Sequence, residues 1–286
     1  MKRFKKLLPP ILAAALFLSG CGADREQSTN FNSAGKTLYA TAIQYSGEDE
    51  SVEAYLEIAQ RSQKLFPLLE ENLGAFVMNA YNYQDIDGKG TPLYEENRLN
   101  YPVEIDPAGW TVQVSKNYFL LHPVKTTEGK PVEELLKLEE NTMNLLVPES
   151  CRAQEAELLS AWREHFYFEK VEAENSYNQQ AGKTERLELS LEDLEIHIIY
   201  VQDGQRYFTY REDCAVETGG WITDPVVEIY TSNIHCNYAH SNLSQWTYFA
   251  ADTENAQEAF AEMLPFVQEC SAEKSFQKVE PVEFLP

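Results

Sequence analysis

Long apolar runs are missing from nearly the whole of this chain. After Cys21, no stretch approaches the roughly 18 consecutive uncharged apolar residues that indicate a membrane-spanning helix. Hydrophobic residues nevertheless make up 43% of the sequence and aromatic residues 12%, as in chains that fold around a core. The composition therefore predicts a globular region without a membrane span after Cys21.

Positive charge is also scarce. The chain carries 23 Lys and Arg residues against 46 Asp and Glu residues, for a formal net charge of −23. DNA, RNA and anionic lipid each require a cationic surface, so the sequence argues against all three as direct ligands. An acidic surface attracts cationic peptides by long-range steering, although the same acidity is expected of a domain that needs only to stay soluble.

Motifs of enzymes are missing as well. The sequence contains no Gly-x-Ser-x-Gly elbow, no glycine-rich phosphate loop and no His-Glu-x-x-His helix. The carboxylates are too numerous for any pair to stand out as a general acid and base. We therefore predict a protein that is not an enzyme and has no cofactor, with an envelope hydrolase as the minor alternative.

What the chain does contain is a lipoprotein signal at its N-terminus. Four cations within Met1–Lys6 precede the uncharged run Leu7–Leu18, and Leu18-Ser19-Gly20 leads directly to Cys21. A basic segment, a short apolar segment and small residues before a cleavage site define a secretory signal. A cysteine at that site predicts attachment of diacylglycerol to the Cys21 thiol. A transmembrane helix is disfavoured, because the apolar run is short and Pro9-Pro10 interrupts it.

This signal predicts the organisation of the chain. Residues 1–20 form the cleaved signal peptide, residues 21–36 the lipidated cysteine with a flexible tether, and residues 37–286 an extracytoplasmic domain. The protein is expected at the outer face of a cell membrane, held there by palmitate-type acyl chains, since two chains suffice for stable anchoring. A Gram-positive bacterium is the expected source.

Four cysteines remain after the anchor: Cys151, Cys214, Cys236 and Cys270. An even number in an exported chain permits two disulfides. We favour a disulfide between Cys214 and Cys236, because both follow predicted strands that could be neighbours. Free buried thiols are the alternative.

Two segments have some features of metal sites. His235-Cys236-x-x-x-His240 offers two or three ligands where a stable zinc site has four. Asp85–Pro92 pairs aspartates with glycines, but Lys89 stands where the spacing of a calcium loop needs a ligand. We therefore predict no metal site. A further possibility is a glycan or peptide groove lined by tyrosines, although aromatic residues at strand spacing are more often core residues; these are Tyr81, Tyr83, Tyr94, Tyr101 and Tyr118.

The periodicity of apolar residues predicts an α+β fold. Ser51 is a candidate cap for a helix at Val52–Leu73 that ends at Gly74, and strands on either side suggest a βαβ unit. Asp203-Gly204 predicts a hairpin, and residues 172–191 read as a loop. The remaining strands are expected at 37–45, 75–83, 101–105, 110–114, 118–121, 143–147, 166–171, 194–201, 205–210 and 226–230, and the remaining helices at 132–140, 149–165 and 253–269. Interleaved elements with hairpins indicate a mixed sheet with helices packed on it, in two subdomains.

Four short segments within this pattern are considered together, in their order along the chain: Thr111–Val124, Thr142–Ser150, His197–Tyr210 and Ile222–Thr231. Together they resemble the extracytoplasmic domain of the bacteriocin-associated integral membrane proteins, which are immunity proteins related to FtsX/MacB-type ABC permeases. The resemblance covers roughly Val112–Phe249. The family has no catalytic residue to carry over. The positions that match are scaffold residues: Asn117, Tyr118, Pro148, Gln205, Tyr207, Phe208, Thr209, Asp224 and Pro225.

The resemblance implies a function that does not involve catalysis. Members of that family carry several transmembrane helices, whereas this chain has a lipid anchor in their place. It therefore resembles an ectodomain detached from its permease. We expect a membrane-anchored binding or accessory lipoprotein that works with an FtsX-type permease or against a cationic peptide. The alternative is a solute-binding lipoprotein of an ABC importer.

Overall fold

The computed structural model describes residues 36–43, 51–91, 93 and 99–286. The predicted signal peptide and Cys21, with almost all of the expected tether, lie outside the described residues. Within them, the strands are β1 Thr37–Ile43, β2 Phe76–Asn79, β3 Thr111–Val114, β4 Thr142–Pro148, β5 Glu195–Val201, β6 Arg206–Phe208, β7 Trp221–Thr223, β8 Val226–Ile229, β9 Thr247–Ala251 and β10 Phe276–Pro281. The α-helices are α1 Val52–Leu73, α2 Tyr118–Leu121, α3 Glu155–Tyr167, α4 Ala173–Gln180, α5 Cys236–Gln245 and α6 Ala256–Glu269.

Helix α1 shows how local sequence sets its own limits. The Ser51 hydroxyl accepts a hydrogen bond from the Ala54 amide at 3.2 Å, as expected of an N-cap. Gly74 ends the helix at φ 64°, a left-handed conformation that glycine adopts without steric cost. Between the caps, Leu56, Leu65 and Leu69 recur on one buried face. The predicted bounds, cap and stop of this helix are confirmed.

Eight strands form a mixed sheet in the order β10-β1-β9-β2-β3-β8-β4-β5. The pairs β3–β8 and β4–β5 are parallel, and the other neighbouring pairs are antiparallel. Strands β1 and β2 run in the same direction with β9 between them. The predicted α+β class with a mixed sheet is confirmed, and the division into two subdomains stays a prediction.

The two faces of this sheet bury different residues. On one face, Asn79, Gln113 and Glu228 occupy paired positions of β2, β3 and β8, and we call this set the polar row. Helix α5 covers it, because the Asn242 amide bonds both Asn79 and Gln113.

The opposite side, which we call the aromatic face, packs rings instead. The rings of Phe76 and Tyr248 are paired across β2 and β9, with their centroids 5.5 Å apart. Tyr118 and Tyr210 pack on the same Phe76 ring, at 5.8 and 5.5 Å. Burial of these rings contributes much of the hydrophobic stabilisation on this side.

Several predicted strands are wrong. Residues 101–105 form turns, because the Asp106 carboxylate accepts hydrogen bonds from the amides of Asn100, Tyr101 and Ala108. Tyr118–Leu121 is the short helix α2 instead of a strand. Phe166–Val171 carries helix α3 on into a π-helical turn, Phe168–Glu172. Residues predicted as a loop then form helix α4.

The predicted hairpin at Asp203-Gly204 is also wrong. Strand β5 pairs with β4, whereas β6 pairs with β7. The Asp224 carboxylate accepts hydrogen bonds from the amides of Gly204 and Gln205, and so it ties this turn to the end of β7. A long-range contact has overridden the local preference for a hairpin.

Candidate functional site

A pocket of about 390 Å³ opens where three loop segments meet beside β7. We call it the acid-lined pocket. Its walls come from the segment after β2, the loop that leads into β3, the short helical turn Val216–Thr218, and β7 with Asp224. Its volume lies in the range of ligand pockets, roughly 300–1,000 Å³.

Backbone contacts hold these walls together. Gln84 and Cys214 form an isolated antiparallel bridge. The Asp85 amide donates to the Asp213 carbonyl at 2.8 Å, and the Ala215 amide donates to the Tyr83 carbonyl at 3.0 Å. The pocket therefore rests on paired backbone segments, which favours a preformed site.

Aromatic side chains supply the apolar surface of the acid-lined pocket. The rings of Tyr83 and Trp110 lie with their centroids 4.8 Å apart. Trp221 forms a further part of the lining, and the Arg206 guanidinium lies 4.5 Å from the centre of its ring. Val216 is 50% exposed at the rim. The lining thus combines flat rings with a ring that already binds a cation.

The charged residues in the described part of the lining are all acidic. Asp85, Glu104, Glu217 and Asp224 line the pocket, and no Lys or Arg is among its described lining residues. One oxygen of Asp85 accepts from the Gly90 amide at 3.0 Å. The other, Oδ1, is buried and has no hydrogen-bond partner in the described part of the chain. A buried acceptor without a donor is costly, so this oxygen favours a ligand that carries a donor or a positive charge.

Two lining residues have unusual backbone conformations. Ala215 and Asp224 both lie in the left-handed region at φ 50°. This region costs energy for residues other than glycine. Asp224 compensates through its bonds to Gly204 and Gln205. Such conformations concentrate at functional sites, which agrees with the location of the pocket.

A second, more polar pocket of about 430 Å³ lies between α1, α4 and the start of α5. Its lining mixes acids with Lys170 and Arg186 and includes His235 and Cys236. The Lys170 ammonium is already bound to the Glu140 carboxylate at 2.6 Å and to the Asn233 carbonyl at 2.7 Å. The charges of this pocket therefore satisfy one another to a greater extent.

The predicted disulfide between Cys214 and Cys236 is not formed. Cys151, Cys214, Cys236 and Cys270 are all free and buried. Cys214 packs in the main core, whereas Cys236 belongs to a separate cluster with Leu56 and Tyr177. Burial raises the pKa of all four thiols, that of Cys236 to about 12. Thiolate nucleophiles are therefore disfavoured at these positions.

The histidines of the His235–His240 segment have different partners. His235 caps helix α5, where its Nδ1 accepts from the Asn237 amide, and its ring stacks on Tyr177. His240 Nδ1 lies 3.1 Å from the Ser62 hydroxyl oxygen. The segment forms the N-cap and first turns of helix α5, and its two histidine rings have separate contacts.

The predicted calcium-like turn binds its own backbone. Asp85 accepts from the Gly90 amide and Asp87 from the Lys89 amide. The Lys89 ammonium also lies 3.9 Å from Asp87.

The tyrosines of the predicted groove are divided between different places. Tyr83 lines the acid-lined pocket, whereas Tyr118 is a fully buried residue of the aromatic face. Tyr81 is 43% exposed and Tyr101 is half-buried. Tyr94 lies outside the described residues. Sequence reasoning missed Trp110 and Trp221 as lining residues. The available signal was the pair Gly219-Gly220, which places a turn directly before a tryptophan.

Comparison with known proteins adds no assignment. No family model, no curated protein and no solved structure matches this chain. In the described residues, no helix is both long enough and apolar enough to cross a membrane.

Proposed function

We propose that this protein is a lipid-anchored extracytoplasmic binding protein that is not an enzyme, and that it takes up a cationic amphipathic peptide in the acid-lined pocket. The observation that carries this proposal is the combination of four lining carboxylates with the rings of Tyr83, Trp110 and Trp221. Carboxylates select positive charge, and aromatic rings bind both cations and apolar side chains.

Asp85 lines the pocket, and its buried Oδ1 has no hydrogen-bond partner within the described residues. An ammonium or guanidinium group placed there donates to a buried carboxylate, and charge-assisted hydrogen bonds are stronger than neutral ones. The net charge of −23 would also bring a cationic peptide to the surface by long-range steering.

The sequence around Cys21 supports the cell-membrane location, at the extracellular face. The four sequence segments that resemble bacteriocin-associated membrane proteins support a role in immunity to such peptides, with an FtsX-type permease as the partner. In this role, the domain would capture the peptide close to the bilayer.

The test uses the full-length lipidated protein in a non-ionic detergent. A dye-labelled synthetic peptide of lysine and tryptophan is titrated with the protein, and fluorescence anisotropy reports binding. The same peptide with glutamate in place of lysine is the control ligand. We expect saturable binding of the cationic peptide that weakens with salt, and no binding of the acidic peptide.

Matched variants locate the binding. The pair Asp85→Asn and Glu217→Gln removes two pocket charges, and the pair Glu254→Gln and Glu262→Gln removes two exposed charges elsewhere. We expect about a 10-fold loss of affinity for the first pair and less than about 2-fold for the second, because charges near a ligand outweigh screened distant ones. Equal losses for both pairs would overturn the proposed pocket. Binding of free amino acids in place of the peptide would favour the importer component.

A further inference from the structure

A cluster of one histidine and two glutamates lies in the interior, away from the acid-lined pocket. His165 of α3, Glu169 of the π-helical turn and Glu228 of β8 bring one ligand atom each to within 4.8 Å of one another. His165 Nε2 lies 3.3 Å from Glu169 Oε1. The glutamates are almost completely buried, at 5% exposure for Glu169 and 6% for Glu228.

One oxygen of this cluster has no partner. Glu169 Oε2 is buried and accepts no hydrogen bond within the described residues. An unsatisfied buried carboxylate oxygen is among the more costly features a core can contain. It lies beside a second carboxylate and an imidazole, and the three side chains together offer a set of ligand atoms for a cation.

The residues around the cluster hold its ligand atoms in place. Gln113 Nε2 donates to Glu228 Oε1 at 2.8 Å, and Asn242 in turn donates to Gln113 Oε1 at 2.7 Å. The Trp162 ring packs edge-on against His165 with centroids 5.4 Å apart. Metal ligands are commonly oriented by such outer hydrogen bonds.

The backbone at Glu169 is also distinctive. Helix α3 widens at Phe168–Glu172 into a π-helical turn, a feature found frequently at functional sites. His165 and Glu169 lie four residues apart, so both side chains project from the same side of this helix toward Glu228.

We propose that His165, Glu169 and Glu228 bind one divalent transition-metal ion, such as Zn²⁺ or Mn²⁺. An imidazole nitrogen with two carboxylates suits these ions, whereas Ca²⁺ and Mg²⁺ are bound by oxygen ligands alone. Bonds of about 2.0–2.2 Å place neighbouring ligand atoms of a tetrahedral site about 3.3–3.6 Å apart. The 3.3 Å between His165 and Glu169 meets this spacing already. The side chain of His165 is 25% exposed and gives the ion a way in.

Such an ion would cross-link the α3–α4 segment to the centre of the sheet. It stabilises the fold by neutralising two buried carboxylates, and it leaves coordination positions for water. This inference does not depend on the peptide-binding proposal, because the acid-lined pocket contains none of the three residues.

The experiment is metal titration of the full-length lipidated protein after treatment with EDTA. Isothermal titration calorimetry with Zn²⁺ and with Mn²⁺ measures binding, and thermal unfolding measures its effect on stability. We expect one ion per chain with a dissociation constant of about 10 µM or below, and a higher Tm in the presence of the ion. No heat above buffer and no change in Tm for either metal would overturn the proposal without recourse to any variant.

Matched variants assign the site. Glu169→Gln removes the carboxylate that carries the unpartnered oxygen. Glu174→Gln removes the carboxylate of a comparable pair, in which Glu174 Oε2 lies 3.6 Å from His235 Nε2. We expect about a 100-fold loss of affinity for Glu169→Gln and an unchanged affinity for Glu174→Gln. Where Glu169→Gln fails to fold, Glu228→Gln replaces it, since glutamine retains the shape and a hydrogen-bonding amide. Retained affinity in a folded variant would place the ion elsewhere and overturn the proposal.

Discussion

The two faces of the central sheet both lie in the interior, yet they treat ionisable groups in opposite ways. In the polar row, Glu228 accepts a hydrogen bond from the Gln113 amide and lies close to the carboxylate of Glu169. The aromatic face surrounds His122 with the rings of Tyr118, Tyr210 and Trp221. Burial disfavours the charged form on both faces. It therefore raises the pKa of the acid and lowers the pKa of the base.

The two faces therefore differ in what their side chains contribute: one mainly stabilises the fold, and the other offers groups that can bind a ligand. Rings of the aromatic face satisfy one another by packing, and they extend through Trp221 to the wall of the acid-lined pocket. Beside the polar row, the Glu169 carboxylate has one oxygen without a hydrogen-bond partner in the described residues. We therefore expect mutations on the aromatic face to lower stability. We expect mutation of Glu228 in the polar row to raise stability and to weaken metal binding.

The largest effect is expected on the aromatic face. Tyr118 is completely buried, and its hydroxyl accepts a hydrogen bond from the Phe208 amide at 2.7 Å. Tyr118→Ala should lower the free energy of unfolding by about 4 kcal/mol, because it leaves a cavity. Tyr118→Phe should cost about 1–2 kcal/mol, because only the hydrogen bonds are lost. Urea denaturation of both variants separates the two terms, and equal losses would contradict the packing argument.

An intermediate effect of opposite sign is expected at the polar row. The pKa of Glu228 is about 8 in the folded state, above the usual value near 4.3 in an unfolded chain. The folded state then retains a proton that the unfolded state loses, so stability falls as the pH rises from about 4.5 to 8. Glu228→Gln removes this loss and should gain about 2–3 kcal/mol at pH 8 and little at pH 5.

This gain is measured by urea denaturation with EDTA present, so that no metal ion contributes. Gln retains a partner for Gln113, and therefore packing is preserved. A variant that is less stable than the original at pH 8 would show that Glu228 is held by favourable contacts and would remove the contrast with the aromatic face.

A smaller effect is expected at His122. Burial lowers the pKa of His122 to about 4, below the unfolded value near 6.5. The unfolded state then binds the extra proton, so stability is lost as the pH falls from 6.5 to 4. His122 is half-buried, and solvent screening reduces its contribution to about 2 kcal/mol.

His122→Gln tests this slope. The variant should be less sensitive to acid between pH 6.5 and 4 than the original protein, as followed by urea denaturation across that range. His197→Gln is a matched control on β5, since its imidazole contacts the Leu135 carbonyl at 3.0 Å. An unchanged pH slope for His122→Gln would show that other groups cause the acid sensitivity.

Elements whose signals are local could be predicted from the sequence. Ser51, Gly74 and the periodic leucines between them specify α1, and the apolar runs specify β4, β5 and β8. Helix α6 begins three residues later than predicted, because Asn255 caps it with its side chain. Helix propensity and capping depend on residues that lie a few positions apart, so both can be predicted from the sequence alone.

Elements that depend on distant contacts could not be predicted. Phe166–Val171 begins with three successive aromatic residues, which favour a strand, but its continuation from α3 makes it helical. Its prediction as a strand hid the relation of Glu169 to His165. Glu228 stands within an apolar strand, and its partner Gln113 lies 115 positions earlier in the chain.

By itself, the sequence determined helices α1, α3 and α6, strands β4, β5 and β8, the acidic character of the chain and the α+β class. The tertiary structure alone decided strand order, the free state of the cysteines and the convergence of Tyr83, Trp110 and Trp221 on one pocket. It also decided the meeting of His165, Glu169 and Glu228. The physical reason is that caps and periodicity act between neighbours in the chain, whereas pockets and charge clusters arise between segments that only the packed sheet brings together.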